Sequence, residues 1–558
     1  MSRERIRGWC AGLLVLALAA AAPAATISWT NDAGGTFSDG VNWEGGVAPA
    51  ESDLALFTNQ ATYTLGFTQP ATNSEARFSA SGGLVTVDLG GQVWRQTNLT
   101  YFGYTAGADA RVRVQGGEWE TKALQLGNIS AAAAGALTVA GATATVYGSS
   151  GIGIGMSGTG QVVVATGDAI LQAPGGGTHL VGNSAGSVGS LLVSNGFLNV
   201  TGGLTVGSSG QGEFLLGHGT GAISGTLLMG SAAGSLGRFT MAESGADLSA
   251  AGFRLGVSAG AVGEMYLSNG VLRTQGEAKL GEDGSGLAVL AGGTWLATTS
   301  GAINANLYIP FTAGTGRLMM TSADARLVQT GNGSTIQLSN GTNGFGDLIL
   351  SNGMMEVNGI EIADGRATRG EMYVYNATCI VNRTGASALN VGDQSFATGL
   401  LVVADSRALI VVTNGTGIAV AGQTSNPGNS NAYGRVDLSG GTLWVRGFRM
   451  AYGPGSSADA VIGHGTLVNR TDTGIIVAQG LNSRATLVLA ETDSLIDTTN
   501  TAASSAMIVG NATGSVGTVI MSNGTMKLSR LVVGNLGEGT VRLENQSAVT
   551  VTDNIYLP

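Results

Sequence analysis

Lysine occurs at only three positions, Lys122, Lys279 and Lys527, and Lys and Arg together number 26 against 36 Asp and Glu. Nucleic-acid binding needs a basic stripe, so this acidic balance excludes it. Cysteine is as scarce, with Cys10 near the start and Cys379 far from it. Once the leader described below is removed, no intramolecular disulfide can form, and stability must come from packing. Charged residues make up 11% of the chain, less than half the usual share of about 25%. Helical periodicity of 3.6 residues is lacking beyond the first 24 residues, as is any later run of about 20 apolar residues able to cross a bilayer as a helix.

Glycine dominates what remains, at 93 of 558 residues beside only 8 prolines. A mean hydropathy of +0.24 argues against disorder, and the glycines lack the strict triplet period of collagen. The chain is therefore expected to fold. At its start, Arg3, Arg5 and Arg7 precede an apolar run from Ala11 to Ala22 that closes on Ala22-Pro23-Ala24. This pattern predicts a secretory signal peptide over residues 1–24. Its removal takes away Arg3, Glu4, Arg5 and Arg7, a net +2, so the formal charge moves from -10 to about -12.

Two short patterns alternate from about residue 100. One is an apolar alternation ending in a small residue, as in Leu124-Gln125-Leu126-Gly127, Leu204-Thr205-Val206-Gly207, Ile360-Glu361-Ile362-Ala363 and Leu389-Asn390-Val391-Gly392. The other is a glycine, an alternating strand and a Ser-Asn-Gly turn, clearest at Gly263-Glu264-Met265-Tyr266-Leu267-Ser268-Asn269-Gly270. Alternation signals strands, and Asn-Gly supplies the positive φ of a tight turn. A unit of two or three short strands cannot bury its apolar face alone, so copies must stack.

The expected fold is all-β, an elongated parallel β-solenoid. At about 27 residues per coil it would hold roughly 17 coils and extend near 80 Å. The expected organisation is a signal peptide over 1–24, an N-terminal cap with the first strands over 25–98, and the repeat array over 99–558. An antiparallel hairpin array accommodates the same turns; a propeller, with about 40 residues per blade, does not fit the spacing. Trp29, Trp43 and Phe57 are suited to plug the first coil, and the recurring turn asparagines to form amide ladders. The chain is expected to end within a repeat, since Asn554-Ile555-Tyr556-Leu557-Pro558 is in phase with Asn306-Leu307-Tyr308-Ile309-Pro310. Its last edge would then invite self-association.

The strand, Ser-Asn-Gly turn and apolar-Gly ending of Gly263 to Gly281 resemble the repeats of type V secretion passengers and PEP-CTERM surface proteins. The segment with Trp29, Asn42-Trp43, Pro49, Asp53 and Phe57 resembles the opening of bacterial autotransporter-like proteins. The resemblance implies an extracellular or cell-surface β-helical body. Neither a translocating barrel nor a Pro-Glu-Pro sorting tail is recognisable before Pro558.

No residue is assigned a catalytic, cofactor-binding or metal-binding role from the sequence, and no cofactor is expected. His179, His218 and His464 lack metal-ligand spacing, and the shared Gly-His-Gly-Thr context of the last two reads as a turn. Gly151-Ile152-Gly153-Ile154-Gly155 reads as a corner, since no helix follows it to bind phosphate. Gly281-Glu282-Asp283-Gly284-Ser285-Gly286 touches the calcium nonapeptide pattern once, without tandem copies, and reads as an exposed polar loop. Cys379 reads as a buried small hydrophobe. Trp94, Trp119, Trp295 and Trp444 could stack on sugars, but alternating strands favour packing.

The densest charge cluster is Glu356, Glu361, Asp364, Arg366, Arg369 and Glu371. It could supply a base and a cation for polysaccharide cleavage, although a solvated loop explains it without chemistry. The expected function is thus a non-enzymatic secreted or cell-surface solenoid, a stalk, coat component or adhesin, with surface glycans or other cell-envelope components as partners. The alternative is a pectate-lyase-like β-helix that binds or cleaves polysaccharide.

Overall fold

A computed structural model describes residues 24–299, 304–331, 333–384, 387–422, 430–469, 473–499 and 506–557. The expected signal peptide lies outside the described residues except for Ala24. Each turn of the chain passes through three sheets, in most coils as three short strands and in several as one short strand and a longer one that spans two sheets, such as Ile170–Val181 or Phe345–Val357. One coil consists of Asp109–Gln115, Glu118–Thr121 and Ala123–Leu126, and the next of Ala134–Ala140, Thr143–Val146 and Ile152–Ile154. Strands between the two ends of the stack pair in parallel with their counterparts one coil before and one coil after. The parallel β-solenoid is therefore the observed architecture, and the hairpin array is excluded. Among the described residues the one isolated antiparallel bridge joins Trp29 to Trp43.

From Asp109–Gln115 to Glu538–Leu543 the first sheet holds 17 strands, as the repeat spacing predicts. The stack begins earlier, however. Leu54–Phe57, Glu75–Phe78 and Leu99–Phe102 are successive strands of the third sheet, so the N-terminal segment is built largely of coils. The total is about 20 turns, or roughly 95 Å at about 4.8 Å per strand.

The two sequence patterns map onto two sheets and the corners that follow them. Each of the 17 first-sheet strands from Asp109–Gln115 onward carries glycine or alanine at its first inward position, in a column that includes Gly189, Gly212, Gly237 and Gly263. The corner glycine that ends the third sheet packs against this column. A Cβ on Gly212 would lie 2.1 Å from the amide nitrogen of Gly207, itself held at φ 71°. The recurring glycines are therefore required by backbone approaching backbone, and by positive φ at the corner.

Inward side chains stack in register along the rod. The second sheet carries the column Trp295, Leu327, Met355, Cys379, Ile410 and Leu443, all buried. Phe57, Phe78 and Phe102 stack with ring centroids 4.5 and 5.0 Å apart. Buried indoles are satisfied internally, with Trp94 Nε1 donating to Asn73 Oδ1 at 2.8 Å and Trp295 Nε1 to Thr274 Oγ1 at 3.0 Å. At the N-terminal end Trp29 and Trp43 meet edge to face at 5.0 Å and are both buried, forming the aromatic plug read from the sequence. At the other end the strands of the last coil are exposed, with Leu543, Ile555 and Leu557 each more than half accessible.

The turn asparagines behave differently from the expected ladder. Asn269, Asn352 and Asn523 each donate a side-chain N–H to a backbone carbonyl of the preceding coil, those of Ala242, Thr321 and Ala490, at 3.0, 3.1 and 3.0 Å. Amide-to-amide contacts are local, as between Asn376 Nδ2 and Asn352 Oδ1 at 2.7 Å. The register sets these three asparagines over Glu243, Ser322 and Glu491 of the preceding coil, so no second amide lies beneath them.

Candidate functional site

The outer face of the third sheet carries one outward residue per strand, and these stack as Gln337, Glu361 and Asn390 in three successive coils. Three residues further along each coil stand Asn340, Asp364 and Asp393. Each follows the corner residue, Ser339, Ala363 or Gly392, whose φ of 58°, 58° or 73° turns the chain sharply. Two columns of three polar side chains thus face one another across the corner.

Three of the six are carboxylates. One oxygen each from Glu361, Asp364 and Asp393 lies within 4.8 Å of the other two. Glu361 and Asp393 are buried and Asp364 is half-buried. Glu361 Oε2 accepts from Gln337 Nε2 at 2.8 Å, and its other oxygen pairs with Arg383. Asn340 Nδ2 donates to Asp364 Oδ2 at 2.8 Å and to Gln337 Oε1 at 2.7 Å. Asn390 Nδ2 stands 3.5 Å from Asp393 Oδ2, while Asn390 Oδ1 is buried without a hydrogen-bond partner.

Burial, and after it the charge of Glu361, pushes the Asp364 carboxyl up to about 6. Burial first and Asp364 second raise Asp393 well above the ordinary carboxylate range. Side by side and hydrogen-bonded to each other, these two groups suit sharing a proton or holding a cation. Their nearest oxygens lie within 4.8 Å of each other, closer than the about 5–9.5 Å between acid and base carboxyls in glycoside hydrolysis.

The charge cluster read from the sequence is therefore divided. Glu361 and Asp364 come together with Asp393. Glu356 sits on the second sheet and accepts from Asn382 at 3.1 Å. Arg366 stands 5.7 Å from the Phe396 ring, and Arg369 Nε donates to Glu371 on the first sheet at 2.7 Å. A solvated loop does not describe this region, since Glu361 and Glu371 are both buried. Beyond the same corner a shallow groove of about 660 Å³ runs along the first sheet, lined by Phe345, Arg369, Glu371, Phe396, Tyr433 and Arg435.

Asp393, Asn390, Gln337 and Asn340 escaped the sequence reading because it followed linear charge density. The signal was the repeat: aligning Ile360-Glu361-Ile362-Ala363 with Leu389-Asn390-Val391-Gly392 superposes Asp364 on Asp393.

The remaining candidates fall where packing places them. Cys379 is fully buried, and burial raises its thiol pKa. Trp94, Trp119 and Trp295 are core residues, whereas Trp444 points outward, half-buried, between Val411 and Val468. His218 and His464 lie on exposed corners, near Glu243 at 3.7 Å and Asp493 at 2.9 Å. His179 is buried; its Nδ1 accepts from the Ile152 amide and its Nε2 faces the Thr201 carbonyl, both at 3.2 Å. The run at Gly151 is a third-sheet strand, Ile152–Ile154, between two glycine corners rather than a corner itself. Around Gly281, Glu282 pairs with Arg254 and Lys279, each at 3.4 Å. Comparison with protein-family models, with curated proteins and with solved structures returns no match.

Proposed function

We propose that the protein is a secreted or cell-surface solenoid acting as a non-enzymatic stalk, coat component or adhesin body, of the kind seen in autotransporter passengers and PEP-CTERM-associated surface proteins. The observation that carries this reading is the rod of about 20 turns, plugged by aromatics at its N-terminal end. Its outer charges favour the same reading, because many pair along or between coils, as do Arg238 with Glu264 and Arg317 with Asp347.

The test is expression of the full chain in a bacterium, with protease added to intact cells. The expected result is a chain that has lost its first 24 residues and is digested from outside. Retention inside the cell with the leader intact would overturn the proposal. Incubation with pectins and alginates is expected to release no products; turnover abolished by Glu361→Ala would establish the lyase alternative instead.

A second reading rests on the groove beside Phe345, Tyr433 and Arg435, which offers aromatic faces and guanidinium groups along the rod. It predicts saturable binding of an extended glycan, weakened by Tyr433→Ala.

A further inference from the structure

We propose that Glu361, Asp364 and Asp393 bind one divalent cation of the calcium type, with the Asn390 side-chain oxygen as an additional donor. Calcium takes oxygen ligands at about 2.3–2.6 Å, so any two oxygens around one ion are at most about 5 Å apart. The three carboxylates already meet that limit, with oxygens within 4.8 Å of one another. Magnesium, at about 2.0–2.1 Å and near-ideal octahedral geometry, demands a tighter cage. An all-oxygen donor set of carboxylates and an amide suits a hard cation and disfavours softer transition metals.

Asn390 supplies the independent observation. Its side chain is 1% exposed, its amide end stands at Asp393, and its Oδ1 has no hydrogen-bond partner. A buried acceptor left unpaired is destabilising, and turning the amide end over would direct this oxygen to the carboxylate side. Charge points the same way. A divalent cation held by all three carboxylates, with the guanidinium of Arg383 beside Glu361, would leave the site neutral.

The site is built across three coils. Its outward strand residues come from Ile336–Leu338, Ile360–Ile362 and Leu389–Val391, with Gln337 and Asn340 orienting Glu361 and Asp364 from the first of them. A bound ion would clip these coils together where neighbouring carboxylates otherwise repel.

The test uses the full chain, stripped with a chelator and titrated with calcium chloride by calorimetry. The expected result is one saturable site that raises the melting temperature, with weaker binding of magnesium. Asp364→Asn and Asp393→Asn should each weaken binding at least tenfold, and Asn390→Asp should tighten it while lowering the melting temperature of the metal-free protein. Absence of saturable calcium binding by the wild type would overturn the proposal. So would unchanged affinity in a folded Asp393→Asn protein. If that variant does not fold, Asn390→Asp decides, and an affinity equal to or weaker than wild type overturns the assignment.

Discussion

Alanine at Gly212 and alanine at Gly186 separate the two reasons this rod needs glycine. Gly212 lies outside the left-handed region, but a Cβ there would meet Gly207 N at 2.1 Å, Val181 O at 2.5 Å and Val206 C at 2.8 Å. All three are backbone atoms that cannot rotate aside. Gly186 has φ 79° with nothing within 4 Å of a Cβ. Its replacement incurs the left-handed penalty of about 1–2 kcal/mol, offset by about 0.4–1 kcal/mol from a less flexible unfolded chain. Gly186→Ala should therefore destabilise by about 1 kcal/mol or less. Overpacking against fixed backbone costs about 1–3 kcal/mol or more, and Gly212→Ala belongs at the upper end. Long repeat arrays do not unfold as two states, so the readout should be local. Hydrogen exchange in Val188–Val193, Gln211–Leu216 and Leu236–Met241 is expected to accelerate about a hundredfold in Gly212→Ala, at about 1.4 kcal/mol per tenfold. In Gly186→Ala the change should stay within about tenfold. Equal effects from both substitutions, or none from Gly212→Ala, would refute the backbone-contact argument.

Two further outcomes are expected. Burial lowers the His179 pKa below its unfolded value of 6.5, so the unfolded chain binds the proton more readily. Its contribution to stability should be complete above pH 6.5 and decline as pH falls through the folded value, and melting curves from pH 8 to 5 should show a smaller decline in His179→Gln. Cys379 should resist thiol reagents in the native protein and react on denaturation, because it is buried with a raised pKa; rapid native labelling would contradict its place in the core column.

Strand alternation and the spacing of glycine corners carried the fold into the sequence, because a stacked coil repeats its inward and outward positions in every turn. The glycine at the first inward position of most first-sheet strands was legible as a pattern, but its cause, close backbone approach to the corner residue five to seven positions earlier and to the preceding coil, is a matter of chain path that spacing alone does not reveal. The candidate site was half legible. Glu361 and Asp364 stand in one charged stretch, whereas Asp393 joins them only through the register that stacks Leu389–Val391 on Ile360–Ile362. Trp444 could not be told from Trp94 by alternation alone, since one residue of phase decides whether an indole faces core or solvent.

The most direct test of the parallel solenoid is a pair of distances between spin labels on the first-sheet outer face, with Cys379 changed to alanine. Gln161 and Arg317 are six coils apart in one column, and Gln161 and Arg435 are ten. At about 4.8 Å per coil the separations should be near 29 and 48 Å before allowance for the label arms. Two narrow distributions in a ratio of six to ten are the predicted result; distances that do not grow with coil number would contradict the stacked rod.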